Sequence, residues 1–101
     1  MTIAYPDFEP LLKILLDSVS NELSADAVNH VSHYLSVGEY EMAFESLVLS
    51  LMEEQVVIGN KAAREIEIIG QGLNMAEEAV FRADFWPAAI SWLQEQVGSR
   101  R

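Results

Sequence analysis

The chain contains no cysteine, which excludes both a disulfide framework and a thiolate metal site. It is also poor in positive charge: 6 Lys and Arg stand against 16 Asp and Glu, for a formal net charge of -10. Nucleic acid and anionic membrane repel carboxylates and reward clusters of Lys and Arg, so neither is expected as a direct partner. Basic proteins are the natural counterparts. With only 3 Pro and 5 Gly, and with no low-complexity tract or internal repeat visible, few points interrupt regular structure. Period-two alternation of the kind that marks strands is nearly absent. The apolar run Leu11-Leu12-Lys13-Ile14-Leu15-Leu16 is too short and too interrupted for a signal or a membrane span. Met1 to Asp7 carries no basic leader, so a cytoplasmic location is the default expectation.

What the chain does have is material for a core. Half of its residues are hydrophobic, which argues against an acidic disordered segment. At 101 residues it is expected to form a single domain, 1–101, burying roughly two thirds of its unfolded surface.

The apolar spacing predicts helices throughout. Asp7 is placed to cap a first helix with Pro10 in its first turn, Phe8, Leu11, Leu12, Leu15 and Val19 on one face, and Glu9, Lys13 and Asp17 in a row on the other. Ser24 reads as the cap of a second helix that packs Ala27, Val28, Val31, Tyr34 and Leu35 inward and ends with Gly38 at C′. A third, from about Glu39 to Glu54, carries the clearest stripe: Tyr40, Ala43, Phe44, Leu47, Val48 and Leu51. Val56-Val57-Ile58-Gly59 suits a connection or one brief strand. Asn60 would cap a fourth helix through Ile66, Ile69 and Leu73, which is expected to end or bend near Gly70 and Gly72. A short helical stretch over 76–82 and a last helix from Asp84 or Trp86, with Pro87 early and Trp86, Ala89, Ile90, Leu93 and Val97 on one face, complete the reading. The expected fold is an all-α compact bundle of four to five helices.

Catalytic constellations are weak. His30 and His33, with Asp26 near them, form the best metal candidate, but a closed zinc site needs four ligands and the sequence holds no second His-x-x-His or Glu-x-x-His and no His-Glu-x-x-His. Gly70-Gln71-Gly72 begins like a dinucleotide fingerprint, yet Met75 stands at the third glycine and a helical pattern precedes it. No strained elbow or orienting acid frames the serines near the histidines. The expectation is a protein that is not an enzyme and takes no metal or cofactor.

Charge placement says more. Residues 1–60 hold ten carboxylates and a single cation, Lys13. On the third helix Glu41 and Glu45 repel at i+4, and Glu53 and Glu54 crowd a C-terminus whose partial negative charge disfavours each by about 0.3 to 1 kcal/mol; only Glu39, at the N-terminus, agrees with the dipole. Two readings stand: a solvated acidic face kept for solubility, or a ridge that docks cations. Met42 and Leu49, beside these acids, are either a second buried side of a central helix or apolar anchors within an acidic rim. The candidate partner-binding set is Glu39, Glu41, Met42, Glu45, Leu49, Glu53 and Glu54.

The run from Val31 to Leu51, VSHYLSVGEYEMAFESLVLSL, resembles a segment of the small bacterial immunity proteins of the Maf type, in which a helix ends in Gly-Glu-Tyr and the next carries Ala and Glu-x-Leu before a short acidic exit. A Leu-rich helix before it and a loop and helix after it extend the resemblance over about residues 8 to 75. The tail from Ala76 to Arg101, with Phe85-Trp86-Pro87, goes beyond that pattern. The resemblance implies a cytosolic antidote that binds and neutralises a cognate toxin domain, such as a basic nuclease delivered by contact-dependent growth inhibition. It supplies no invariant binding residues. An acidic helical adaptor or chaperone-like regulator of a basic protein is the alternative.

Overall fold

The computed structural model describes residues 3–98, with the side chain of Val97 and the burial of Gly98 outside the description. The expected place of Val97 on the last apolar face therefore lies outside the described residues. Among those residues there is no strand: the expected all-α bundle is what forms, and Val56-Val57-Ile58 is a connection. A 3-10 turn at Tyr5–Asp7 leads into α1 (Phe8–Val19). Then come α2 (Ala25–Ser36), α3 (Tyr40–Glu53), α4 (Asn60–Gly72), the single turn α5 (Met75–Glu78) and α6 (Phe85–Gly98).

The ends of the helices follow from local chemistry. The Ser24 hydroxyl accepts from the Ala27 N–H at 3.2 Å and so caps α2 as expected. At the other end Gly38 takes φ 75°, the Gly38 N–H reaches the Leu35 carbonyl at 3.2 Å, and the Glu39 N–H reaches that of Tyr34 at 2.9 Å. These paired bonds are a Schellman closure, with glycine at the left-handed position. Helix α3 ends the same way with Gln55 at φ 56°, and there the Val56 N–H reaches the Leu51 carbonyl at 3.0 Å while both side chains are buried. Two expected caps differ. Asp7 stands at the N-cap of α1 but makes no side-chain cap bond, because the preceding 3-10 turn already leads the chain in with helical angles. Gly59, not Asn60, is the N-cap of α4.

Helix α3 is the centre of the bundle: Ala43, Phe44, Leu47, Val48 and Leu51 are wholly inaccessible, and α1, α2, α5 and α6 all pack against it. The core joins Phe8, Leu12, Leu15 and Leu16 of α1 to Val31 and Leu35 of α2, Ile66 and Ile69 of α4, and Phe85 and Leu93 of α6. One buried cluster thus runs through every helix. Phe85 is fully buried and meets Phe44 edge-on at 6.1 Å, while Trp86, expected in the core, is only partly covered. Gly70 explains where the Trp86 indole goes. It is buried, and a Cβ there would overlap the six-membered ring of Trp86. Helix α4 continues through Gly70, which gives α6 its close approach, and ends at Gly72.

Candidate partner-binding surface

The carboxylates that local helix preferences disfavour find explanations one by one. Glu45 is the main correction. Expected on an exposed ridge, it is wholly buried and accepts three backbone N–H bonds: Val80 at 2.6 Å on Oε1, and Phe81 at 3.1 Å and Arg82 at 2.9 Å on Oε2. Successive N–H groups converging on an anion form a nest. Here the anion is the protein's own side chain, so Glu45 is a clasp for the loop between α5 and α6 and is not available to a partner. The same clasp corrects the expected helix over 76–82, which stops at Glu78 because the next N–H groups turn toward Glu45. The pattern did contain a sign of this: Glu45 shares its helical face with Val48, Leu49 and Met52 at i+3, i+4 and i+7.

Glu54 remains exposed, but its two oxygens accept from the Ser24 N–H and the Ser24 hydroxyl, each at 2.8 Å. Because α2 and α3 run antiparallel, a carboxylate that opposes the dipole at the end of α3 sits at the favourable start of α2. Glu41, half-buried, accepts from the Tyr5 hydroxyl at 2.7 Å. The Tyr5 phenol is pushed up to about 12, first by partial withdrawal from water and then by that carboxylate. Glu39 and Glu53 are exposed, and Met42 and Leu49 are half-buried, with Leu49 also packed against the core.

The expected ridge therefore divides in two. Glu39, Glu41 and Met42 stand at the start of α3 beside Tyr5. Glu53 stands at its far end, about 18 Å from Glu41 along the helix at ~1.5 Å per residue. Leu49 and Glu53 do share one feature. They line an open groove of about 250 Å³ with His30 and Tyr34 of α2, Ser46 and Ser50 of α3 and Phe81 of the clasped loop. The Tyr34 and Phe81 rings stand 5.7 Å apart at 46°. Phe81 was not among the sequence candidates, because the expected helix hid the loop that carries it. Arg82 lies within electrostatic reach of Glu53, but its guanidinium is held by Asp84, through Nε and, at 3.2 Å, through a terminal nitrogen.

His30 and His33 are both exposed, and among the described residues no group of three His, Cys, Asp or Glu is placed to hold a metal. No helix among them is long and apolar enough to cross a membrane. Lys13, the one cation of residues 1–60, is committed to Glu9 at 2.8 Å. Glu9 also accepts from the Tyr40 hydroxyl at 3.0 Å. The bond from Lys13, then that from Tyr40, holds the Glu9 carboxyl below its ordinary value.

Compared with family models, with curated proteins and with solved structures, the chain matches none.

Proposed function

We propose that the chain is an immunity protein: a cytoplasmic, non-catalytic inhibitor that binds and neutralises a basic toxin domain, such as a nuclease delivered by contact-dependent inhibition. One observation carries the reading. Asp17, Glu22, Asp26, Glu39 and Glu53 are exposed on the α1–α3 half, whose single cation is already paired with Glu9. That half offers a field of one sign, which speeds the capture of a partner rich in Lys and Arg and suppresses competing acidic partners. The resemblance of Val31 to Leu51 to Maf-type immunity proteins supplies the biological setting. With Glu45 withdrawn into the fold, the binding residues are Glu39, Glu41 and Met42 at one end of α3, and Leu49, Glu53 and Glu54 at the other. Function on this reading is affinity alone, with no bond made or broken.

The test starts from the gene immediately upstream: if it encodes a large secreted protein with a basic C-terminal domain, that domain is coexpressed with the chain. Cells that survive only when the chain is present support the reading. Cells that die at every expression ratio refute it, and stable binding to a basic protein that is not toxic would instead place the chain among acidic adaptors.

A further inference from the structure

The loop that carries Phe81 is built at unusual cost. Burying a carboxylate is unfavourable unless its lone pairs are well met, yet Glu45 is buried to hold a loop on which Val80 and Phe81 stand 62% and 46% exposed. An apolar pair kept in water by a rigid clasp gains nothing for the core. It does hold a ring in one place before anything binds, and preorganised aromatic anchors are the usual centres of binding energy in interfaces.

The surroundings specify what such an anchor would meet. Phe81 and Tyr34 form two adjoining aromatic faces, and Leu49 and Glu53 line the same groove. No Lys or Arg lines it. Of the four acids that oppose local preferences on α3, three are engaged inside the fold: Glu41 with Tyr5, Glu45 with the loop and Glu54 with Ser24. Glu53 alone of these four lines the groove, and Arg82, the cation within its electrostatic reach, is held by Asp84. An aromatic pair beside a carboxylate suits a planar cation that stacks on the ring and is forked by the acid. Arginine fits better than lysine, whose ammonium is more strongly hydrated.

Given a basic protein as partner, the reading proposed above, we propose that this groove receives an arginine side chain of that partner, stacked on the joined aromatic surface of Tyr34 and Phe81 and bound by Glu53.

The probe is a short capped peptide, acetyl-Gly-Arg-Gly-amide, titrated at millimolar concentration into the isotope-labelled protein and followed by amide chemical shifts, with the lysine peptide alongside. Expected are shifts centred on Tyr34, Ser50, Glu53 and Phe81, larger for arginine than for lysine, and binding weakened about two- to fivefold by Phe81→Ala and by Glu53→Gln. Both side chains are exposed, so the variants should melt as the parent does. Shifts spread evenly over α1 to α3, equal responses to both peptides, or variants that bind as the parent does would overturn the assignment. The coexpression assay separates it from the broader reading. If the double variant protects cells as well as the parent over a series of toxin doses, the groove is refuted and the immunity reading stands. If peptide binding behaves as expected but the parent protects no cells, only the immunity reading falls.

Discussion

Replacing Glu45 with glutamine keeps the shape of the side chain and removes its charge, which isolates what the carboxylate does. The amide oxygen can keep the Phe81 and Arg82 N–H groups that now share Oε2, but the NH2 group then faces the Val80 N–H across the shortest contact, 2.6 Å. A hydrogen bond to a charged group contributes about 1.5 to 3 kcal/mol and a neutral one about 0.5 to 1.5, so the two retained bonds weaken by roughly 1 kcal/mol each. One opposed buried donor costs about 1 to 3 kcal/mol more. The loop can relieve part of this by leaving its seat and hydrating its N–H groups, so the expected net loss is about 2 to 4 kcal/mol. A domain of this size is stable by about 5 to 15 kcal/mol, so the variant should still fold. Glu45→Leu should cost more, because it strands three donors where glutamine strands one. Urea unfolding followed by Trp fluorescence gives the stability, and amide exchange at Val80, Phe81 and Arg82 shows whether the loop has come free. A glutamine variant within about 0.5 kcal/mol of the parent, the scatter of ordinary surface changes, with unchanged protection at those amides, would refute the clasp. So would a leucine variant more stable than the glutamine one.

Two further outcomes follow from packing and charge. Gly70→Ala drives a methyl group into the Trp86 indole, and overpacking of this kind costs about 1 to 3 kcal/mol; a shifted Trp emission with a lower melting temperature is expected, and an unchanged melting temperature would show that α6 can move aside freely. The Glu9 carboxyl is held below its ordinary 4.5 by Lys13 and Tyr40, so the unfolded chain takes up this proton first. Its contribution is whole above that value and is lost as pH falls through the lowered one. Glu9→Gln should therefore flatten the acid limb of a stability-against-pH curve and leave its slope near neutrality alone, as denaturant titrations across that range can measure.

The helices were legible because their signals are local. Gly38, Ser24 and the stripe of α3 each act within a few residues, and each forms what its spacing implies. The site was less legible because its decisive bonds connect positions far apart in the chain. Glu45 meets residues 35 to 37 positions away, and Glu54 meets Ser24 at 30. Like charges at i+4 on one helix signalled that something was unusual, and that much was correct. Helix periodicity cannot say that one acid turns inward to a loop and another reaches the neighbouring helix, since each answer depends on which backbone donors the tertiary fold leaves open. Phe81 was lost for the same reason: its segment is compatible with a short helix until Glu45 takes its N–H groups.

The α2–α3 pair is fastened at both ends, by the left-handed turn at Gly38 and by the Glu54 carboxylate across to Ser24. Its two helices touch along their length while the chain between them is only a few residues long. Closing so short a loop loses little chain entropy, and contacts between near neighbours form fast. This hairpin is therefore a part of the molecule in which order costs little chain entropy. The loop that holds Phe81, by contrast, brings residues 80–82 back to a carboxylate of that hairpin across 35 to 37 positions, a closure that costs more.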